Sequence, residues 1–411
     1  MKQPALVIVG SGRQGFREYI MEGISRTHRV ALITQDPPTW QRRHIVDHET
    51  ARLPDVDAVS HAARVLAGRQ ELTGVLTYDE ALVEVVAEVA ARLGLPGCGR
   101  QAVATCRDKL ASRRLFESSG VPSARYREAA TEAQAAAGAD ALGYPVVLKP
   151  RSLASSVGVV RADNPEYLAD AFGIAADARI EDFRAQPSIL VEEYLDGPEI
   201  SIDAVITDGA VDFPVVARKQ LGFPPFFEET GHVVSDADPL PELPAAKDVA
   251  RAAIAALGLR WTVAHVELRL TAAGPKIIEV NPRLGGDLIP LLGLLATGVD
   301  LAAAAASLCV GRAPELTRRH AGAAAIRFFY PQEDMVFETL RADFPVRPDW
   351  LSRLTTLASP GTVIAPPDGE FWPRLGFAIV TGGDARECGD RLDEVEARLE
   401  VVAHQHAGRP G

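Results

Sequence analysis

Apolar and polar positions alternate most regularly between His265 and Asp287, in the string HVELRLTAAGPKIIEVNPRLGGD. VELRL and KIIEV each keep a period of two and are separated by Ala-Ala-Gly, so the pattern predicts a β-hairpin. Glu267 and Glu279 then fall on paired strands, with Asn281 two residues past Glu279 on the same face. Nearer the N-terminus the apolar runs are unbroken. ALVIVG (5–10) reads as a buried parallel strand, and Gly10-Ser11-Gly12-Arg13-Gln14-Gly15 opens a helix behind it. VALITQD (30–36) and GVLTYDE (74–80) predict two further strands, and a helix runs from near Ala81 to LGLPG at 93–97. Alternating β and α to about residue 100 predicts a small doubly wound domain.

The pattern then shifts. A helix spans Arg107 to Glu117 and stops at Ser118-Ser119-Gly120, and YPVVLKP (144–150) is a strand carrying Lys149 at its end. SILVEEYLDGPEISIDAVI (188–206) reads as strand, turn, strand around Asp196-Gly197-Pro198, which would set Glu192, Leu195 and Glu199 about the mouth of a hairpin. Glu228-Glu229-Thr230-Gly231-His232, acidic and following Pro224-Pro225-Phe226-Phe227, reads as a loop held by aromatic packing. Past Gly311, AGAAAIRFFYP (321–331), GTVIAPP (361–367) and PRLGFAIVTGGD (373–384) predict strands, and ARECGDRLDEVEARLEVV (385–402) an amphipathic helix: a small α+β domain. His404 and His406 read as tail. The alanine runs at 129–141 and 301–306 read as surface-helix filler of high helix propensity.

Composition narrows the partners. With 47% hydrophobic and 24% charged residues in 411, the chain is an ordinary globular protein of several domains. The net charge of −12, and basic pairs no longer than Arg42-Arg43 and Arg318-Arg319, argue against nucleic acid. Four cysteines without C-x-x-C spacing argue against a zinc site or disulfide framework and for a reducing compartment. MKQPALVIVG suits a first strand better than a signal peptide, and no run reaches the roughly 18 to 20 apolar residues of a span. The expectation is a cytoplasmic protein with no membrane partner.

Candidate chemistry centres on the hairpin. Two carboxylates and an amide oxygen converging on rigid strands suit Mg²⁺, which takes one or two protein carboxylates and fills its shell with water and phosphate oxygens. Arg283, one alternation further, would aim its guanidinium at an anion held there. Together with Gly285-Gly286, this combination outweighs the alternative of two exposed strand glutamates. It reads as a phosphoryl-transfer site.

The glycine loop is less specific. In its strand-to-helix setting it fits a dinucleotide, with Asp36 as ribose ligand, but equally a small anion or mere tight packing. Asp79, at the carboxyl edge of its strand, reads as ligand or helix cap. The segment Arg151-Ser152-Leu153-Ala154-Ser155-Ser156-Val157-Gly158 can present backbone N–H groups to phosphate, although no P-loop motif is present.

Taken together, these pieces resemble the ATP-grasp superfamily over roughly residues 1 to 312. The resemblance implies an N-terminal Rossmann-like domain (1–106), an ATP-grasp small lobe acting as lid (107–187), a large lobe with the metal site (188–312) and the α+β domain at 313–411. It implies that Lys109 and Lys149 meet ATP phosphates under a loop of Ser155, Ser156 and Gly158. Glu192 would meet the adenine amino group, Leu195 the adenine edge and Glu199 the ribose, with Glu267, Glu279 and Asn281 binding Mg²⁺ or, in its place, Mn²⁺. Within the superfamily, FFEETGHVVSD and EVNPRLGGDLIP resemble the L-amino-acid ligases. That likeness assigns Glu229, His232, Arg283, Gly285 and Gly286 to an amino-acid-like substrate, with Arg283, His232 and Lys149 as catalytic groups; Ser152–Ser156 departs from it in lacking the usual glycines.

The implied activity is ATP-dependent carboxylate–amine ligation through an acyl-phosphate, giving ADP and phosphate. A ligase with a non-amino-acid acid or amine is the alternative. A nicotinamide oxidoreductase is less favoured, since it leaves Glu267, Glu279, Asn281 and both lysines without a role. A homodimer is left open.

Overall fold

The computed structural model describes residues 2–180, 183, 186–237, 239–365 and 373–405. Its first sheet is parallel, in the order Asp47–Thr50, Val30–Thr34, Pro4–Val9, Glu71–Leu76. Helices Gln14–Ser25 and Val56–Arg69 supply the long crossovers that parallel pairing needs. The strand expected at 74–80 ends at Leu76, which leaves Tyr78, Asp79 and Glu80 beyond its carboxyl edge. Asp79 is a cap: its carboxylate accepts from the Ala81 N–H at 3.1 Å. Asp47–Thr50, a short polar edge strand, carries too little apolar pattern to be legible in advance.

A second, antiparallel sheet runs Tyr126–Ala129, Ile189–Glu193, Val146–Pro150, Val160–Ala162, backed by helices Glu132–Leu142 and Leu168–Asp177. The third sheet has eight strands: Gly274–Asn281, Thr262–Thr271, Glu199–Thr207, Ala210–Gly222, Glu228–Ser235, Ala323–Phe329, Gly376–Gly382 and Leu351–Thr356. The hairpin foreseen at 265–287 is its first pair, with Glu267 directly opposite Glu279.

Three expectations need correction. Residues 188–206 are not a hairpin: Ile189–Glu193 belongs to the small sheet and Glu199–Thr207 to the large one, so Asp196-Gly197-Pro198 connects two sheets. Residues 228–235 are a strand, not a loop; it pairs on both sides, and its charged start is tolerated because each glutamate finds a cationic partner inside. The strands expected to form a separate C-terminal body instead extend the large sheet through Ala323–Phe329, Gly376–Gly382 and Leu351–Thr356, while Met335–Ala342, Thr362–Ile364 and Leu399–Gln405 form a small sheet beside it.

The C-terminal helix ends at Ala397, and His404 lies in the strand after it; His406 and the end of the GTVIAPP segment lie outside the described residues. The alanines at 301–306 are core, not surface filler. Helix Leu301–Cys309 buries Ala302, Ala304, Ala305 and Ala306, and a Cβ on Gly74 would stand 2.4 Å from the Cys309 carbonyl oxygen, so strand and helix meet backbone to backbone. The 129–141 run is split, with Ala135 and Ala139 buried and Ala133 and Ala137 exposed. Among the described residues no single helix is long and apolar enough to cross a membrane.

Candidate active site

Where the small sheet faces the large one, a cleft encloses about 820 Å³ with its open mouth included, within the range of small-molecule sites. The small sheet contributes Lys149, Glu192 and Leu195 at its edge, together with the Ser155-Ser156 turn. Both serines hold positive φ (56° and 55°), a conformation that turns successive N–H groups toward one side. Gly158 also has positive φ but packs against Ala178 and Pro150, outside the cleft lining. The large sheet contributes Glu199, Lys219, Glu267 and Glu279.

Charge is closely paired in this cleft. Lys149 lies 2.6 Å from Glu192, whose other oxygen accepts from Arg113 at 2.8 Å. Glu192 thus stands on the cleft wall with both oxygens engaged by cations. Burial lowers the Lys149 ammonium to about 8, the attraction of Glu192 being opposed by Arg113 and Lys109. Burial would raise the Glu192 carboxyl, but Arg113 and Lys149 outweigh it and hold the group low. Lys109, at the start of the helix capped by Asp108, donates to the Leu153 carbonyl (2.9 Å) and meets Glu279 at 3.0 Å.

Lys219 was not singled out from the sequence. Its ammonium reaches Glu229 (2.5 Å), Glu199 (2.7 Å) and Glu267 (3.3 Å), tying the expected ribose, substrate and metal residues into one cluster. Burial works against its charge, yet the three carboxylates raise it well above an ordinary lysine. The signal was present: Val215, Ala217 and Lys219 lie on one strand face, so the period of two points this lysine inward.

The three metal candidates line one cavity, with Glu267 opposite Glu279 in the hairpin. Asn281 is 4% exposed, and its side-chain amide has no partner among the described residues, which fits an oxygen ligand awaiting a cation. Behind Glu267, His265 contacts that carboxylate at 3.3 Å and donates from Nδ1 to Asp203 at 2.7 Å. Burial opposes the imidazolium, but Asp203 and Glu267 raise it to about 9, while Lys219 and His265 overcome burial to hold Glu267 at about 2. Gly285 backs this arrangement, since a Cβ there would meet His265 Nδ1 at 2.9 Å. Two carboxylates with an unpartnered amide oxygen therefore suit Mg²⁺.

A second cavity, about 1760 Å³ with its open mouth included, shares Ser155, Ser156, Glu267 and Glu279 with the first and continues past Asn281 and Gly286 to Glu228, Glu229, Asp287 and Arg374. Arg13 and Phe16, from the glycine loop and its helix, also line it. Arg374 stacks 3.8 Å from the Phe328 ring centre and bridges Asp287 (2.7 Å) and Glu228 (3.1 Å). His232 is 1% exposed, and its Nε2 stands 3.5 Å from both Glu229 and Asp287. Burial opposes its protonation, but these carboxylates raise it above an ordinary histidine. Arg283 is turned elsewhere: it pairs with Glu80 of the N-terminal domain, which Arg107 also holds at 2.6 Å. Glu80, Arg107 and Arg374 come from distant parts of the chain, and no local pattern linked them.

Residues 142–290 match the ATP-grasp domain family, and with this fold and relatives of that kind the chain is an ATP-grasp ligase, of the carboxylate–amine type. It is 28% identical over 400 residues to the uncharacterized protein y4rH of Sinorhizobium fredii, covering 94% of this chain and 80% of that one. It is 26% identical over 408 residues to the alanine–anticapsin ligase of Bacillus subtilis, covering 87% and 82%. The crystal structure of the L-amino acid ligase from Bacillus licheniformis superposes with a TM-score of 0.82 at 22% identity, covering 98% of this chain and all of that one.

Proposed function

We propose that the protein joins the carboxylate of one amino-acid-like substrate to the amine of another through an acyl-phosphate, releasing ADP and phosphate. The observation that carries this reading is the continuity of the two cavities at Glu267 and Glu279: a nucleotide in the first would place its terminal phosphate at the opening of the second. The relatives named as alanine–anticapsin ligase and L-amino acid ligase support it.

ATP-grasp enzymes use ATP and Mg²⁺ in general. Here Glu267, Glu279 and Asn281 would hold the metal, which when bound supplies charge stabilisation to phosphate oxygens. Lys109 and Lys149 line the nucleotide cleft and would exchange their carboxylate partners for phosphate oxygens. An oxygen of the substrate carboxylate forms a bond to the γ-phosphorus as the bond to the ADP oxygen breaks, and the electron pair leaves with ADP. Glu229, ionised beside Lys219, would bind a substrate ammonium, and His232, held protonated behind the cavity wall, would position the Glu229 and Asp287 carboxylates that face it. A neutral amine then attacks the acyl carbon; the carbon–oxygen bond to phosphate breaks, and phosphate departs with the proton the nitrogen sheds. Ser155 and Ser156, lining both cavities, would cover the reacting groups and exclude water.

The test is a matrix of amino acids with ATP and Mg²⁺, read by phosphate release and product mass. The expected outcome is ADP and phosphate in step with an amide product. AMP and pyrophosphate, or phosphate release without a condensed product, would overturn the proposal.

A further inference from the structure

We infer that Arg13 binds the carboxylate of the amine substrate, which makes that substrate a free α-amino acid, with an apolar side chain, rather than a simple amine. The inference rests on the ligase reading and extends it to the acceptor.

It follows from the charges lining the second cavity. Glu228 and Asp287 are paired with Arg374, Glu229 and Glu267 with Lys219, and Glu279 with Lys109. Arg13 completes the charged lining, and it alone has no hydrogen bond or ion pair from its side chain to any described residue. A guanidinium facing a cavity of otherwise satisfied charges attracts an anion, and its planar fork matches a carboxylate. Nucleotide phosphate has its own cations in the cleft, where Lys109 and Lys149 lie and Arg13 does not. The anion left for Arg13 is one the second substrate brings.

The surroundings specify more. Phe16, Leu357, Val363, Ile364 and Pro373 line the same cavity, and Val363 is 53% exposed although large and apolar. An exposed valine on a cavity wall gains by covering, whereas a charged substrate side chain would find no partner there. A carboxylate on Arg13 with an apolar side chain against these residues leaves the amino group to be directed toward the acyl-phosphate. The product then keeps a free carboxylate.

The experiment compares L-alanine, L-valine, L-leucine and L-phenylalanine with their carboxamides as acceptors, in the parent enzyme and in Arg13→Ala and Arg13→Gln. The parent should prefer acid over amide by about tenfold to a hundredfold in kcat/KM, the worth of a charge-assisted hydrogen bond. In both variants that ratio should fall toward one, through a raised KM for the acids, while KM for ATP stays within about twofold. An acid-over-amide ratio retained in the variants, or acids and amides losing equally, overturns the assignment. A parent that condenses none of the acids or amides overturns the ligase reading and this inference with it, so the two failures are told apart.

Discussion

Lys149 shows how a buried charge can be functional without being comfortable. Glu192 supplies one negative charge to two cations, Arg113 and Lys149, so burial is left incompletely compensated and the ammonium falls to about 8. Below that value the cleft offers ATP a charged lysine; above it, a neutral amine. Because kcat/KM reports the ionisation of the free enzyme, kcat/KM for ATP should decline as pH rises through about 8. Lys149→Arg, whose guanidinium stays charged, should remove the inflection even if its absolute activity is lower. Profiles recorded on either side of pH 8 decide it: an unchanged inflection in the arginine variant would mean that another group titrates. Lys219 is the contrasting case. Three carboxylates surround it, so its charge is retained across the working range of pH.

At the scale of elements, the connector between the sheets governs the cleft. Gly197 sits between Ile189–Glu193 and Glu199–Thr207 at φ 134°, and a Cβ there would stand 2.1 Å from the Leu270 carbonyl oxygen of the metal hairpin. Its own carbonyl accepts from Arg269 at 2.8 Å. Gly197→Ala must move the connector off the hairpin and carry Leu195 and Glu199 with it. A strained backbone of this kind costs about 1–3 kcal/mol before the clash is counted. Gly389→Ala, in a helix with nothing within 4 Å, should be neutral or stabilising by up to about 1 kcal/mol. Denaturant unfolding of both, with KM for ATP, makes the comparison; equal stabilities would show that the connector yields freely.

The same connector shows what a sequence can and cannot disclose. The metal hairpin was legible because its two strands, its turn and its three oxygen ligands all fall between Thr262 and Asn281, and local alternation carries them all. The identity of the sheet each strand joins is a long-range property. Strand, turn, strand at 188–206 therefore read as a hairpin, when its halves belong to two lobes. Glu228–Ser235 was hidden because its glutamates looked solvated, and Lys219, Arg374 and Tyr330, all from other segments, make them tolerable indoors. Arg283 was legible as a site candidate, but its pairing with Glu80 across the domain boundary was not.

At the scale of the whole molecule, the nucleotide cleft is a junction. Lys149 and the serine turn come from the small sheet, Glu199, Glu267 and Glu279 from the large one, so a nucleotide bound there would bridge the two sheets, adding to direct contacts such as Lys276 with Glu193 at 2.6 Å. Ligand that binds only the folded state stabilises it by about 2.7 kcal/mol at a hundredfold excess over Kd. Thermal unfolding with ADP should therefore rise in two increments, one from nucleotide alone in chelator and a second when Mg²⁺ is added. Glu279→Gln separates them. The substitution keeps the side chain's size but removes a metal-ligand charge, and it also releases Lys109 from its 3.0 Å partner. Nucleotide alone should stabilise the variant at least as well as the parent, since Lys109 is then free for phosphate. The Mg²⁺ increment should shrink or vanish. If the variant keeps the full Mg²⁺ increment, the hairpin carboxylates do not bind the metal, and the charge that neutralises the transferring phosphate must be sought elsewhere in the cleft.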